Sequence, residues 1–189
     1  MRVKGKEHLR GINHAVTISN HCLYLDPAFA AYSVGVRRLF FSGLEQTFVE
    51  SRKPFELLIR LLGGFPIPRR SPWSILEPIQ QLVKQRKRTL IHFFPEGKMT
   101  YRNQKLKTFK VGGFLLSDML HVPVIPMVTI ITPRSWWCNR LTIEILPPIY
   151  LDIPEGQAEK KAALKAAAES ARQQMQQVID SYHAASSST

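Results

Sequence analysis

The chain has 189 residues, of which 44% are hydrophobic, and its 26 Lys and Arg exceed its 14 Asp and Glu by a formal net charge of +12. This length suits one domain with a sizeable core. The longest apolar run, residues 122–132, contains two prolines and is shorter than the about 20 residues that a transmembrane helix needs. The positive charge predicts a polyanionic partner, and nucleic acid, an anionic membrane and phosphorylated small molecules all fit it.

The amino end and the cysteines indicate a reducing, cytoplasmic compartment. Residues 1–10 are polar and basic and lack the apolar core of a secretory signal. Cys22 and Cys138 show neither a disulfide framework nor the spacing of a metal site. We therefore expect a cytoplasmic protein.

Strands and helices alternate along the chain. Apolar and β-branched runs predict strands at residues 2–5, 15–19, 36–41, 89–94, 122–131 and 141–146, and residues 65–68 are extended and proline-rich. Helices are predicted from Pro27, over 53–62, after a capping box at 74–77, from Gly112, and over 155–183. The alternation predicts a single α/β domain over residues 1–185 with helices on both faces of its sheet.

The carboxyl-terminal segment predicts a docked helix with a frayed end. Apolar side chains recur at helical spacing over residues 155–183, which is typical of an amphipathic helix. Residues 186–189 are three serines and a threonine, and we predict a disordered tail.

A histidine and an aspartate lie between the strand at 15–19 and the helix that begins at Pro27. Five positions on a continuous helix are about 140° apart, but a turn lets the Asp26 carboxylate fold back onto His21. A carboxylate that holds one imidazole nitrogen leaves the other free as a base. Taken alone, this spacing favours a simpler alternative, in which Asp26 caps the helix and His21 ends the strand.

Three further blocks follow in order: Phe65–Arg69, Phe94–Gly97 with Thr100, and Val122–Pro126. Together with the histidine block, they resemble the glycerolipid acyltransferase superfamily, typified by 1-acylglycerol-3-phosphate acyltransferase, over residues 3–150. The resemblance implies a glycerol-3-phosphate acyltransferase-like α/β sandwich around a mixed central sheet. It also implies transfer of a fatty acyl chain from acyl-CoA or acyl carrier protein to a lysophospholipid hydroxyl, most simply that of lysophosphatidate.

The same resemblance implies roles for individual residues. His21 is the expected general base, Asp26 its orienting carboxylate, and Arg69 the cation that holds the acceptor phosphate. The residues expected to bind or position the acceptor are Glu96, Gly97, Lys98, Thr100 and Lys110. No cofactor or metal ion is expected beyond the acyl donor.

Some of these roles have alternatives. Glu96 equally fits a structural acceptor for loop N–H groups, and Lys110 fits a solvated lysine. Met99 stands where a common form of the motif has arginine, and Lys98 is the cation beside it. A lysolipid without a terminal phosphate therefore stays open as the acceptor, as does transacylation between phospholipids.

The resemblance implies a peripheral protein on the inner face of a membrane. An amino-terminal hydrophobic helix pair, used by many family members, is absent from this sequence. Contact with an anionic membrane is expected from the basic surface, from residues 54–62 or from Trp136–Trp137. A non-catalytic basic module that binds nucleic acid or membrane explains the charge but not the four ordered blocks, so no nucleic acid is expected.

Overall fold

The structure, a computed structural model, describes residues 1–35, 39–44, 63–67, 72–135 and 138–187. Its strands are β1 (Arg2–Lys4), β2 (His14–Ser19), β3 (Leu39–Leu44), β4 (Gly64–Ile67), β5 (Thr89–Phe93), β6 (Val124–Ser135) and β7 (Cys138–Ile145). Its α-helices are α1 (Asp26–Val34), α2 (Leu76–Gln85), α3 (Gly112–Leu120) and α4 (Gln157–Ser187), with 3-10 turns at Lys6–Leu9 and Pro72–Ile75.

The strands form one mixed sheet in the order β1-β7-β6-β2-β5-β3-β4. Strands β6, β2, β5, β3 and β4 are parallel, whereas β7 is antiparallel to β6 and β1 is parallel to β7. Strand β2 is central, with Val16 opposite Ile91 of β5 and Val124 of β6. The predicted fold class, a mixed sheet flanked by helices, is confirmed.

Helices cover both faces of the sheet. Because side chains alternate along a strand, neighbouring residues of β2 enter different clusters. Ala15 packs with Ala30 and Val34 of α1 on one face. Val16 faces the other cluster, which takes one or more residues from each remaining helix: Ile79, Phe114, Leu116, Leu164 and Met175.

Some strands and helices begin or end at residues other than the predicted ones. Strand β6 continues to Ser135, beyond the predicted end at residue 131, because its ladder with β7 runs from Met127 to Ser135. Strand β4 contains a proline and pairs with β3 alone, as suits an edge. The predicted helix at 53–62 and Trp136–Trp137 lie outside the described residues.

Two predicted helix ends are also different. Helix α2 begins at Leu76, after a 3-10 turn over Pro72–Ile75, and Ile75 occupies the cap position without a side-chain capping bond, whereas the predicted capping box at 74–77 places the start earlier. Helix α4 runs to Ser187, past the predicted end at 183 and into the predicted tail. Its buried face bears Leu164, Ala168, Ala171, Met175 and Ile179, which confirms the predicted docking.

Among the helices that the structure describes, none has both the length and the apolar character needed to cross a bilayer.

Candidate active site

His21 follows β2 by two residues, at the carboxyl end of the parallel strands. Its side chain is 22% exposed, and Nδ1 lies 3.0 Å from Asp26 Oδ2. An ionised carboxylate only accepts hydrogen bonds, so Nδ1 carries the proton and Nε2 holds the lone pair. The turn thus brings the two side chains together as the base hypothesis requires.

The Asp26 carboxylate is buried and holds the loop that precedes α1. Its Oδ2 accepts hydrogen bonds from the N–H groups of Cys22 and Leu23, both at 2.7 Å. Helix α1 begins at Asp26, and Leu25 at the cap position makes no side-chain capping bond. The alternative in which Asp26 caps α1 is therefore wrong, because its carboxylate turns back onto the preceding residues.

Phe94, the residue after β5, fixes the plane of the His21 ring. The two rings are stacked, with centroids 4.1 Å apart and an interplanar angle of 21°. The rings of Phe94 and His92 are in turn nearly perpendicular, at 82°, with centroids 4.8 Å apart. The sequence places Phe94 in a motif but gives no signal of this stacking, because the contact joins two different loops.

His92 is completely buried on β5 beneath the site. Its Nδ1 lies 2.8 Å from Thr17 Oγ1, and its Nε2 lies 3.1 Å from Ser19 Oγ. The Ser19 hydroxyl donates to the carbonyl of Asn20, so its oxygen accepts from the Nε2–H of His92. The hydroxyl of Thr17 then donates to Nδ1 of the same ring. Burial, followed by electrostatic interaction with His21, lowers the pKa of His92 to about 3, so the ring is neutral.

Asn20 anchors the His21 loop to β6. Its Nδ2 donates to the carbonyl of Thr129 at 2.9 Å, and its Oδ1 accepts from the N–H of Thr129 at 2.8 Å. Gln104 continues the pairing, since its Oε1 accepts from the N–H of Ile131 at 2.9 Å. The two amide side chains thus satisfy β6 backbone where β2 has ended.

Glu96 joins the loop after β2 to the loop before α3. Its Oε1 accepts from the N–H of His21 at 3.1 Å, and its Oε2 accepts from the N–H of Lys107 at 3.2 Å. A backbone bond of 3.0 Å from Thr100 N to His21 O reinforces the contact. Both oxygens of Glu96 therefore bind loop N–H groups, which is the structural role left open by the sequence.

Gly97 adopts a left-handed conformation, φ 71°, beside the side chain of Lys110. A Cβ at position 97 would lie 2.5 Å from Lys110 Nζ, so the absent side chain leaves room for the lysine. The N–H of Lys110 donates to Pro95 O at 2.8 Å. Lys107 Nζ donates to Thr100 Oγ1 at 2.6 Å, and Lys98 is exposed. Cations therefore line the loop that carries Glu96.

The predicted site residues divide into two groups. Arg69 lies outside the described residues. The others lie on the loop after β2, at the first residue of α1, or on the segment between β5 and α3: His21, Asp26, Glu96, Gly97, Lys98, Thr100 and Lys110. The contributions of Phe94, His92, Asn20 and Lys107 were not predicted, because the first three are contacts between distant parts of the chain and the bonds of Lys107 to Glu96 and Thr100 depend on the path of one loop.

Cys22 is the nucleophilic side chain nearest to His21 in the sequence, and it is unsuited to covalent catalysis. It is 1% exposed. Burial, followed by the negative charges of Asp26 and Glu96, raises the pKa of its thiol to about 12. Because the thiolate is the nucleophilic form, this group stays inert.

Two open cavities lie away from these residues, with volumes of about 620 and 490 Å³. The larger includes Asn13 and Arg88, which precede β2 and β5 at the opposite end of the strands. The smaller lies between Gln104 and the end of α4. Neither of these two cavities has His21 among its lining residues.

Comparison with known proteins identifies the family. The family model described as Acyltransferase matches residues 1–130, and no curated protein matches the chain. The fold resembles the crystal structure of the 1-acyl-sn-glycerophosphate (LPA) acyltransferase PlsC from Thermotoga maritima, with 18% identity, a TM-score of 0.58, and coverage of 92% of this chain and 71% of that chain. At this identity the likeness is one of fold. Because the family model covers more than half of the sequence, the chain belongs to the acyltransferase family, and the predicted membership of the glycerolipid acyltransferase superfamily is confirmed.

Proposed function

We propose that this acyltransferase moves a fatty acyl chain from an acyl-CoA or acyl carrier protein thioester to the hydroxyl of a lysophospholipid, most simply lysophosphatidate. The observation that carries the proposal is the His21 Nδ1–Asp26 Oδ2 contact of 3.0 Å on a partly exposed histidine. The fold likeness to a protein described as an LPA acyltransferase supports the choice of acceptor.

In the proposed mechanism, His21 acts as the general base. Its Nε2 takes the proton of the acceptor hydroxyl while the hydroxyl oxygen attacks the thioester carbonyl. The tetrahedral intermediate then collapses, the C–S bond breaks, and the leaving thiolate receives the proton from His21. Base catalysis of this kind contributes about 10² to 10⁴ in rate. The products are an ester and a free thiol, with no acyl-enzyme and no cofactor.

Asp26 keeps the base in the required tautomer and stabilises the imidazolium that forms. Phe94 fixes the plane of the ring by stacking on it. Glu96 fixes the backbone of the same residue through the His21 N–H. Two parts of the fold, the start of α1 and the loop after β5, therefore orient one imidazole, and such preorganisation is what a positioned base requires.

The acceptor headgroup is proposed to bind beside the Glu96–Thr100 loop. Lys98 and Lys110 supply positive charge there, Thr100 a hydroxyl, and Gly97 close access to the backbone. Arg69 is proposed to add a bidentate contact to the phosphate. The protein is proposed to work in the cytoplasm as a peripheral protein on the inner face of an anionic membrane, where its lipid acceptor resides.

The decisive experiment is mass spectrometry of the products formed from a mixed lysolipid pool and labelled acyl-CoA or labelled acyl carrier protein. Labelled phosphatidate is the expected product. The His21→Ala variant should lose about 10² to 10⁴ in rate, with an unchanged circular dichroism spectrum. Full activity of that variant would refute the base assignment, and the absence of any acylated lipid would refute the function.

The acceptor class is tested separately, because Met99 replaces an arginine of the common motif. Lysophosphatidate and a lysolipid without a terminal phosphate are compared as substrates of wild type and of Arg69→Ala. We expect the variant to lose activity on the phosphate-bearing acceptor alone. Equal losses on both acceptors would contradict a phosphate contact and favour the phosphate-free lysolipid.

A further inference from the structure

Three large side chains beside His21 are exposed to solvent. Tyr24 is 74% exposed, Leu25 60% and Tyr101 58%. The rings of Tyr24 and Tyr101 lie 5.6 Å apart, although the residues belong to different loops. These three residues are called the aromatic tip below. Tyr24 and Leu25 lie within four residues of the proposed base, and the ring contact places Tyr101 beside Tyr24.

The backbone holds the aromatic tip rigidly against the active site. On either side of Tyr101, the N–H of Thr100 donates to His21 O at 3.0 Å and the N–H of Arg102 donates to Cys22 O at 2.8 Å. Arg102 adopts a left-handed conformation, φ 56°, at this bend. The tip therefore presents a fixed surface rather than a loop that folds away.

Positive charge surrounds the tip. Residues 98–110 contain five basic side chains and no Asp or Glu. All five are exposed: Lys98, Arg102, Lys105, Lys107 and Lys110. The nearest acid before this basic segment is Glu96, whose two oxygens bind backbone N–H groups. These five residues, called the cationic rim below, belong to the same segment as Tyr101, and Lys107 is hydrogen-bonded to Thr100 beside it.

We propose that the aromatic tip and the basic segment dock the enzyme on an anionic lipid bilayer. Tyrosine places its ring among the headgroups and keeps its hydroxyl hydrated, and Leu25 offers a fully apolar contact beyond them. Lys and Arg close to an anionic bilayer add attraction that decays within a Debye length. An apolar centre inside a cationic rim complements this surface better than it complements an acidic protein or a nucleic acid.

Docking in this way deepens the proposed function and rests on it. The acceptor of an acyltransferase for lysophospholipids resides in the bilayer, and Tyr24 is three residues from His21. Insertion of the tip would bring the base to the level of the headgroups, where the acceptor hydroxyl lies. The surface is also distinct from residues 54–62 and Trp136–Trp137, the membrane contacts expected from the sequence.

The first test measures binding of the full chain to sedimented vesicles of phosphatidylcholine with and without one-third phosphatidylglycerol. The Tyr24→Ala/Tyr101→Ala variant should bind the anionic vesicles about tenfold or more weakly than wild type, since two ring faces lose their burial. The matched control is Tyr150→Ala. Tyr150 is 72% exposed and follows Ile149, which bridges to Val124 at the other end of the strands.

The second test addresses the charged rim. Arg102→Gln/Lys105→Gln should weaken binding to the anionic vesicles and reduce its salt dependence. The control is Lys161→Gln/Lys165→Gln, which removes the same charge from exposed positions on α4. Equal losses in the rim and control pairs would show that net charge alone drives binding.

Activity separates this surface from the catalytic proposal. The Tyr24→Ala/Tyr101→Ala variant should lose turnover of a lysolipid presented in vesicles and keep turnover of a short-chain, monomeric lysolipid. Vesicle binding without any acyl transfer would leave the docking surface standing and refute the proposed function. The docking proposal would be overturned if the tyrosine variant bound vesicles as well as wild type does, or if Tyr150→Ala lost vesicle binding to the same extent. It would also be overturned if the tip bound an acidic carrier protein in place of vesicles.

Discussion

Glu96 and His21 are joined through the main chain, since Glu96 Oε1 accepts a hydrogen bond of 3.1 Å from the His21 N–H across 75 positions of sequence. The other oxygen of Glu96 binds the N–H of Lys107. One carboxylate therefore sets the distance between the loop with the proposed base and the segment with the proposed acceptor cations. We therefore expect Glu96 to act as a positioning residue for the proposed catalysis.

Replacement of Glu96 should therefore affect kcat more than the KM for the acceptor. In Glu96→Gln the amide oxygen still accepts one N–H bond, but the amide nitrogen faces a second donor, so we expect kcat to fall about tenfold. Glu96→Ala loses both hydrogen bonds, so its kcat should fall further. Steady-state kinetics with varied acceptor distinguish the roles, because a raised KM with normal kcat would indicate direct contact with the acceptor.

Asp26 should prove essential for catalysis even where the fold tolerates its change. In Asp26→Asn the amide oxygen can take the place of Oδ2 and still accept from the N–H groups of Cys22 and Leu23 and from His21 Nδ1, but a neutral amide does not stabilise the imidazolium that forms. We expect kcat to fall by up to about 10⁴, the size known for the same change in a serine protease triad. A kcat near that of wild type would refute the orienting role.

A second substitution at the same position separates catalysis from stability. Asp26→Ala leaves two buried N–H groups without an acceptor, which costs about 1–3 kcal/mol for each group. Urea unfolding should therefore show a lower free energy of unfolding for Asp26→Ala than for Asp26→Asn, while both variants lose activity. Equal stabilities would contradict the two hydrogen bonds from Cys22 and Leu23.

The sequence predicts those parts of the fold and site that depend on local pattern. The strand before His21 and the helix after it are visible as an apolar run and a proline-led start, and they place His21 and Asp26 on either side of a turn. The run at residues 89–94 likewise predicts a central strand with Glu96 just beyond it. Local pattern therefore locates the junctions at which the site residues lie.

The remainder depends on contacts between distant residues, which local pattern does not encode. The choice of Asp26 between capping α1 and binding the preceding loop is decided by the path of the chain at residues 22–25. His92 looks like a polar interruption of a strand, and only the neighbouring Thr17 and Ser19 of β2 supply its partners. The extent of β6 was likewise set by its pairing with β7.

His92 should make the protein less stable in acid. An unfolded histidine titrates at about pH 6.5, whereas burial lowers the pKa of folded His92 to about 3. Between these values only the unfolded state takes up the proton, so the free energy of unfolding falls by up to about 1.4 kcal/mol for each unit of decreasing pH. Above about pH 6.5 His92 is neutral in both the folded and the unfolded state, so its contribution to the free energy of unfolding no longer changes with pH.

This dependence is measured by urea unfolding of wild type and His92→Gln between pH 4 and pH 7. Because glutamine does not titrate, the free energy of unfolding of wild type should decrease relative to that of the variant as the pH falls. His121→Asn is the control, since His121 is exposed and asparagine tolerates its left-handed backbone, φ 52°. A difference between wild type and His92→Gln that stays constant with pH would contradict the buried neutral histidine.

Gly97 and Gly11 offer a matched pair for testing the role of Lys110. Both glycines are left-handed, with φ 71° and 74°, so an alanine at either should cost about 1–2 kcal/mol of stability. A Cβ at Gly97 would lie 2.5 Å from Lys110 Nζ, whereas one at Gly11 would meet no atom within 4 Å. The two substitutions thus share their backbone strain and differ in the displacement of one lysine.

Gly97→Ala should therefore raise the KM for the acceptor, as Lys110→Ala should, whereas Gly11→Ala should change stability alone. Because Gly97→Ala acts on the acceptor by moving Lys110, the double variant Gly97→Ala/Lys110→Ala should show little increase in KM beyond that of Lys110→Ala. Thermal unfolding and acceptor kinetics on all four variants test both parts. Fully additive effects on KM, or a raised KM in Gly11→Ala, would mean that Lys110 does not act at the acceptor through its position over Gly97.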